Sequence, residues 1–315
     1  MGTTAQPEDR LLKPVRHILA CLDLTDIDPV VIRYAALLAR TLQSRRVSFF
    51  HAIQAYDLPD RASKRFPDVE TELKSIILDE IRQSVDSYFE SDCQWDIVTR
   101  VGYEDAAREI VAYIQDREID VTLIGQKYGE NRQARYSQKI AAHARSDLLF
   151  VTQDAQGPDG PILCAIDFSE ASVKAFELAL DLSRSWGVGL VCYFVSDPAR
   201  AYFPATTERS SSRDEQQSRK AFEAFLKHYE LTPDQVSCRI EINDQIGNAA
   251  ESIYQAAIEE RSGLIIAGAM GDTAKVTSLL GNICETFRLM KKEIPVLITK
   301  HESRRKFPWF WKETS

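Results

Sequence analysis

The sequence predicts an α/β protein of two successive domains, each a parallel sheet of five strands with helices on both faces. Three observations carry this expectation. A length of 315 residues is too great for one ordinary α/β unit and suits two of about 150 residues each. An internal repeat runs through the chain at an offset of 144 residues. Within each copy, short apolar runs alternate with longer amphipathic stretches, the pattern of a strand, a crossover helix and a parallel strand.

The repeat is carried by particular residues. His17-Ile-Leu-Ala-Cys-Leu-Asp23-Leu-Thr matches Pro161-Ile-Leu-Cys-Ala-Ile-Asp167-Phe-Ser, an apolar run ending in Asp and followed by a hydroxyl residue. Gly102 pairs with Gly247 at offset 145 and Gly125 with Gly268 at offset 143, while Cys93 and Cys238 each stand nine residues before their glycine. So small a drift indicates duplication of a complete domain, not a solenoid, whose periods are roughly 20 to 50 residues. Domain 1 is read as residues 1–155, domain 2 as 156–302 and a tail as 303–315. The boundary falls in Asp154-Ala-Gln-Gly-Pro-Asp-Gly160, which is loop-forming in composition.

The elements follow in order. In the first copy strands are expected near 17–23, 47–53, 95–101, 121–125 and 148–152. In the second they are expected near 161–167, 189–195, 236–243, 264–268 and 295–299, with helices near 170–186, 210–230, 247–260 and 275–291. Ala175, Leu178, Ala179 and Leu182 recur at helical steps, and Ser169-Glu170 through Ser172 offers a capped start. Open sheets of this type bind ligands beyond the carboxyl ends of their strands, which puts Asp167, Val195 and Gly268 at one rim.

Composition narrows the class. Hydrophobic content of 44% and charged content of 27% are ordinary for globular chains, and a net charge of −8 opposes nonspecific nucleic-acid binding. No apolar run approaches a membrane span and the polar start has no signal-peptide core, so a soluble, cytoplasmic protein is expected, without membrane or nucleic-acid partners. The six cysteines contain no C-x-x-C pair and mostly fall in apolar strand patterns, which favours free thiols over disulfides or zinc.

The most telling segment is Gly268-Ala-Met-Gly271 with Gly281-Asn282 beyond it. It closes the apolar run Leu264-Ile-Ile-Ala267 and opens a helical stretch. A chain leaving a buried strand and bending at glycine brings bare N–H groups close to an anion, and a helix N-terminus adds its dipole. Phosphate binding is the reading that follows.

On these residues the duplicated unit resembles the universal stress protein family, and the chain resembles its tandem form. The family's nucleotide signature, Gly-x2-Gly-x9-Gly followed by Ser or Thr, is matched in spacing by Gly268, Gly271 and Gly281, with Asn282 in the hydroxyl position. The resemblance implies a flavodoxin-like (adenine nucleotide alpha-hydrolase-like) fold, and ATP, with Mg2+ as its companion, bound at this rim. It implies nucleotide contacts from Asp167, Val195, Ala267, Gly268, Gly271, Gly281, Asn282 and Ile283. It also implies a regulatory role in stress, exercised through a protein partner that the sequence does not identify. Asp167 suits a ribose or adenine group, because facing the phosphates its charge would be repelled. Asn282 both donates and accepts but is larger than a hydroxyl residue. Lys275 either neutralises phosphate charge or is solvated.

The first copy departs from the signature. After Gly125 the next glycine, Gly129, comes one residue late, and the stretch due to hold the third reads Arg132-Gln-Ala-Arg135-Tyr-Ser137. Weak or absent ATP binding is expected there. Asp23 and His51 are read as strand-end polar residues ahead of any altered site, and Arg132 and Arg135 as a solvated loop ahead of an anion site.

Other constellations are thin. No common phosphate-loop, dinucleotide, nucleophile-elbow or zinc-protease motif occurs, and the five histidines lack ligand spacing. No catalytic residue and no metal ligand is assigned. Arg209 to Lys220 is read as a solvated loop running into a helix, and Arg304-Arg-Lys-Phe-Pro-Trp309-Phe-Trp311-Lys as docking onto the protein or a partner. Three functions stay open: an ATP-binding regulator, a nucleotide-free scaffold and a slow ATPase. The two domains are expected to pair through 148–152 and 295–299, with a homodimer as a further arrangement.

Overall fold

Val-, Ile-, Leu- and Phe-rich runs too short for helices become the strands of a sheet buried on both faces. The computed structural model describes residues 14–54, 67–89, 93–102, 106–127, 131–155, 157, 159–168, 170–196, 207–242, 249–269 and 294–300. They divide into two compact units at about the composition-marked boundary.

The first unit contains β1 (His17–Leu22), α1 (Asp28–Leu42), β2 (Arg46–Gln54), α2 (Pro67–Asp86) and β3 (Gln94–Gly102). It continues through α3 (Ala106–Asp116), β4 (Val121–Gln126), α4 (Asn131–His143) and β5 (Asp147–Thr152). Its strand order is β3-β2-β1-β4-β5, with every described pairing parallel. The second unit contains β6 (Ile162–Ala165), α5 (Glu170–Trp186), β7 (Leu190–Ser196), α6 (Thr207–His228) and β8 (Ser237–Ile242). It ends with α7 (Ala249–Glu259), β9 (Leu264–Ala269) and β10 (Val296–Lys300). Its order, β10-β9-β6-β7-β8, repeats the first and is likewise parallel.

The order explains the layers. The chain steps one way from β1 to β3 and the other way from β3 to β5, so right-handed crossovers send α1 and α2 to one face and α3 and α4 to the other. Contacts between α1 and α2, and between α3 and α4, agree. In the second unit Phe176 of α5 meets Phe225 of α6 at 4.7 Å between ring centroids, which places these two helices on one face.

Duplication extends to the backbone. Leu24 and Phe168, Gln43 and Gly187, and Glu118 and Arg261 are three left-handed pairs at the repeat offset. The last two pairs end helices. Ser44 N–H donates to Ala39 O at 2.9 Å and Val188 N–H to Ser183 O at 3.1 Å. Likewise Ile119 N–H donates to Ile114 O at 3.2 Å and Ser262 N–H to Ala257 O at 2.8 Å. These are the six-to-one bonds of a left-handed helix stop, which satisfy carbonyls the helix leaves free.

Three expectations need correction. Residues 207–228 are helical throughout, so the Arg209–Lys220 stretch is helix and not loop: it contains no Gly or Pro, and Glu215 and Arg219 stand at the favourable i,i+4 spacing. Arg132 and Arg135 likewise lie within α4, where losing the third glycine leaves nothing to delay the helix. Cys93 is not the counterpart of Cys238. Ala20 opposes Phe49, which opposes Ile97, while Cys164 opposes Cys192, which opposes Cys238, so Cys238 takes the place of Ile97 and Cys93 precedes β3. Counted from the row, Gly102 follows Ile97 by five residues and Gly247 follows Cys238 by nine, so the shared spacing of the two cysteines to a glycine does not reflect equivalent positions. Among the described residues no helix is long and apolar enough to cross a membrane.

Candidate functional site

In the second unit the chain leaves β6 for β7 and β8, then returns on the other side of β6 as β9. The carboxyl ends of β6 and β9 are therefore the switch point, where the loops diverge and open a crevice. Ala165 is level with Tyr193 on β7 and with Ala267 on β9. Asp167, two residues beyond Ala165, thus stands over the gap between both neighbours, and it is exposed.

Phe168 fixes this aspartate. Its φ of 58° is left-handed, which costs a side-chain-bearing residue about 1 kcal/mol. The cost is offset by packing of its ring on Phe194 at 5.3 Å and Phe225 at 5.8 Å. Phe176 and Tyr229 extend the cluster, and Tyr229 Oη donates to Glu177 at 3.2 Å. The corner that turns Asp167 outward is therefore anchored in the core beneath α5 and α6.

Gly268 is held by a different demand. A Cβ built on it would lie 2.4 Å from both the carbonyl carbon and oxygen of Ala171 and 2.7 Å from Ser172 N. The first turn of α5 thus rests directly on the backbone of β9. Thr299 Oγ1 donates to Ala171 O at 3.5 Å, and Lys174 Nζ to Lys300 O at 2.8 Å, tying the same end of α5 to β10. The N-terminus of α5 is so fixed at the rim with a lysine one turn behind it. The sequence offered no sign of Lys174, because its place follows from the helix seat and not from a motif.

Val195 lies in β7 opposite Glu241, and Ala267 is buried in β9 between Ala165 and Ile298. Asp167, Val195 and Gly268 therefore come to one rim. Gly271, Gly281, Asn282, Ile283, Lys275, the helix expected at 275–291, Ser169 and the 303–315 tail lie outside the described residues.

The first unit closes its equivalent rim with side chains. Asp28, at the start of α1, accepts from Asp23 N–H at 3.1 Å and Leu24 N–H at 2.8 Å, holding Leu24 in its left-handed conformation. Ser172 stands at this position in the second repeat. Thr25 Oγ1 donates to Asp23. Asp26 meets Lys127 Nζ at 3.2 Å and accepts from Gln153 Nε2 at 2.9 Å, so bonds span the carboxyl ends of β1, β4 and β5. His51 is buried, and its Nδ1 meets Leu22 O at 3.0 Å, consistent with a strand-end polar residue. Sequence reasoning missed Asp28, Asp26, Lys127 and Gln153. An Asp five residues after a strand-end Asp was the available signal.

Burial pushes the Asp28 carboxyl up to about 7, against the backbone donors that lower it, and the Asp23 charge adds to the rise. A carboxyl raised in the folded state binds more protons folded than unfolded, so its contribution falls as pH rises from about 4 to about 7. Asp28→Asn is expected to remove that part of the slope in urea-unfolding free energy against pH, at the expense of the Leu24 N–H bond. An unchanged slope would show that Asp28 does not titrate in this window.

A second polar network lies at the amino ends of the strands. Ser48 donates to Asp96 Oδ1 at 2.5 Å and meets His17 Nε2 at 2.8 Å, and Tyr113 Oη donates to Ser48 Oγ at 3.2 Å. Ser48 is 0% exposed, so its hydroxyl is out of reach of substrate, while His17 and Asp96 are part-buried around it. Among the described residues no group of three His, Cys, Asp or Glu side chains is arranged to hold a metal ion.

Residues 160–300 match the family model described as the universal stress protein family. No curated protein matches the chain. Among solved structures it is similar to a universal stress protein from Archaeoglobus fulgidus DSM 4304, with TM-score 0.67 and 16% identity over 91% of this chain and 99% of that one. It is also similar to the Archaeoglobus fulgidus universal stress protein in complex with dAMP, with TM-score 0.33 and 15% identity over 44% of this chain and 99% of that one. A universal stress protein in complex with cAMP gives TM-score 0.33 and 13% identity over 45% and 99%.

Proposed function

Residues 160–300 are a domain of the universal stress protein family, and from that premise we propose that the chain is a stress-response regulator binding an adenine nucleotide, ATP, at the carboxyl rim of its second unit. The observation that carries the reading is the placement of exposed Asp167 and of Gly268, next to last in β9, at the switch point of a parallel sheet. Asp167 accepts from the ribose or adenine end, while the glycine loop from Gly268 through Gly271 to Gly281 and Asn282 takes the phosphates with backbone donors. Val195, Ala267 and Ile283 line the apolar part. Mg2+ accompanies the phosphates.

Charge supports the second unit over the first. Where the first carries the buried Asp28 carboxyl at its rim, the second carries Ser172, which adds no negative charge near a phosphate. The first unit also bridges the rim through Asp26, Lys127 and Gln153, so a ligand there must break these bonds before it enters. In this reading domain 1 (1–155) completes the molecule, domain 2 (156–302) senses nucleotide in the cytoplasm, and an unidentified protein partner reads the result. Nucleotide is bound, not turned over.

The test is to purify the protein without added nucleotide, denature it and quantify released adenine nucleotides by chromatography, beside Gly281→Val. One ATP per chain, lost in the variant, is expected. No nucleotide from either protein, with no binding on titration, would favour a scaffold. Steady phosphate release with Mg2+ would favour the slow ATPase.

A further inference from the structure

Cys164 on β6, Cys192 on β7 and Cys238 on β8 form a row across three adjacent strands: Cys164 opposes Cys192, and Cys192 opposes Cys238. Opposed residues on neighbouring strands share a face, and strands about 4.8 Å apart fall within the roughly 4.4–6.8 Å separation of Cα atoms that a disulfide spans. The matching row of the first unit is Ala20, Phe49 and Ile97, wholly apolar, so the fold does not require thiols at these places. Cys164 and Cys192 are 0% exposed, whereas Cys238 is only partly buried and lies on β8, which ends the described strand order. All three are free thiols.

We propose that this row is an oxidative modification site, at which a hydroperoxide reaching Cys238 closes a reversible Cys192–Cys238 disulfide that fastens β8 to β7. The Cys238 thiolate attacks one peroxide oxygen. The O–O bond breaks, a sulfenic acid forms, and the second oxygen leaves and takes up a proton. The Cys192 thiolate then attacks the Cys238 sulfur, an S–S bond forms, the S–O bond breaks and water departs. Two thiols lose two electrons and one hydroperoxide gains them.

The surroundings set the pace. Burial pushes the Cys238 thiol up to about 11, partly opposed by the Arg219 guanidinium of α6. It holds Cys192 well above the usual thiol range, with both flanking thiols adding to the rise. Thiolate is therefore scarce, and the site responds to sustained oxidant instead of a brief pulse. Reduction by a thiol breaks the S–S bond and returns Cys192 and Cys238 to thiols, so the link is reversible.

The full chain is treated with hydrogen peroxide, its remaining thiols are alkylated, and the digest is mapped by mass spectrometry with and without reducing agent. The expected result is a reducible linked pair of peptides bearing Cys192 and Cys238. Cys238→Ser abolishes the link, whereas Cys93→Ser, which alters a partly exposed thiol of the first unit, leaves it intact. A thermal midpoint several degrees higher for the oxidised wild type, and unchanged for oxidised Cys238→Ser, provides a second reading. Alkylation of both thiols after treatment would overturn the proposal. So would Cys238 halted at sulfinic acid or linked to any other cysteine.

Discussion

Gly268→Ala is expected to destabilise the second unit by about 3 kcal/mol, the upper part of the range for overpacking a closed site. The added Cβ would stand 2.4 Å from the Ala171 carbonyl carbon and oxygen, atoms of backbone that no rotamer change can move. Relief requires lifting the first turn of α5 off β9, which also disturbs the bonds from Thr299 and Lys174. The counterpart in the first unit behaves differently. At Gly125 the nearest atoms are Ile27 Cγ2 at 2.9 Å, Ile27 Cδ1 at 3.2 Å and Val31 Cγ2 at 3.2 Å, all side-chain. Gly125→Ala is therefore expected to lose about 1 kcal/mol, and Ile27→Ala, which removes both Cγ2 and Cδ1, should couple favourably with it in a double-mutant cycle. Urea unfolding of the variants measures both. Equal losses at Gly268 and Gly125 would refute the distinction between backbone and side-chain contact.

Asp167→Ala is expected to weaken ATP binding by about tenfold to a hundredfold, the equivalent of about 1.5–3 kcal/mol for a hydrogen bond to a charged group. Because Asp167 is exposed, and its corner is held by the packing of Phe168 on Phe194 and Phe225, the thermal midpoint of the nucleotide-free protein should stay within about a degree. Asp23→Ala in the first unit is expected to leave ATP affinity unchanged. If Asp167→Ala binds ATP as the wild type does, the carboxylate contacts no part of the nucleotide, and the ligand lies elsewhere.

Much of the fold was legible because one signal was written twice. Each apolar run ending at Asp23 or Asp167 can be strand or helix by itself, but its recurrence at offset 144 with the same neighbours leaves only a duplicated α/β unit. Ten strands stand within two residues of their expected bounds at each end. Gly268 was legible as a special glycine but not for its structural reason. Sequence spacing shows that backbone approaches something, whereas only the fold shows that Ala171 and Ser172 are what it approaches. The helix expected near 210–230 spans 207–228, and the loop reading of Arg209–Lys220 arose because that stretch is polar in sequence and offers no apolar periodicity to mark a helix. Asp28 was missed for a related reason. Its capping of Asp23 and Leu24 depends on a left-handed residue, and Leu24 gives no warning of one, as glycine would have done.

The two repeats reach the same corner by different means. A buried carboxylate holds Leu24, and aromatic packing holds Phe168, so backbone geometry is shared while the charge at the rim is not. This divergence supports the proposal that nucleotide binds in the second unit.

Isothermal titration of the nucleotide-free full chain with ATP, in parallel on wild type, Asp167→Ala and Asp23→Ala, tests that assignment most directly. The account predicts a single site per chain that is weakened by Asp167→Ala and untouched by Asp23→Ala. Loss of the site in Asp23→Ala with retention in Asp167→Ala, or heat of binding from none of the three, would contradict it.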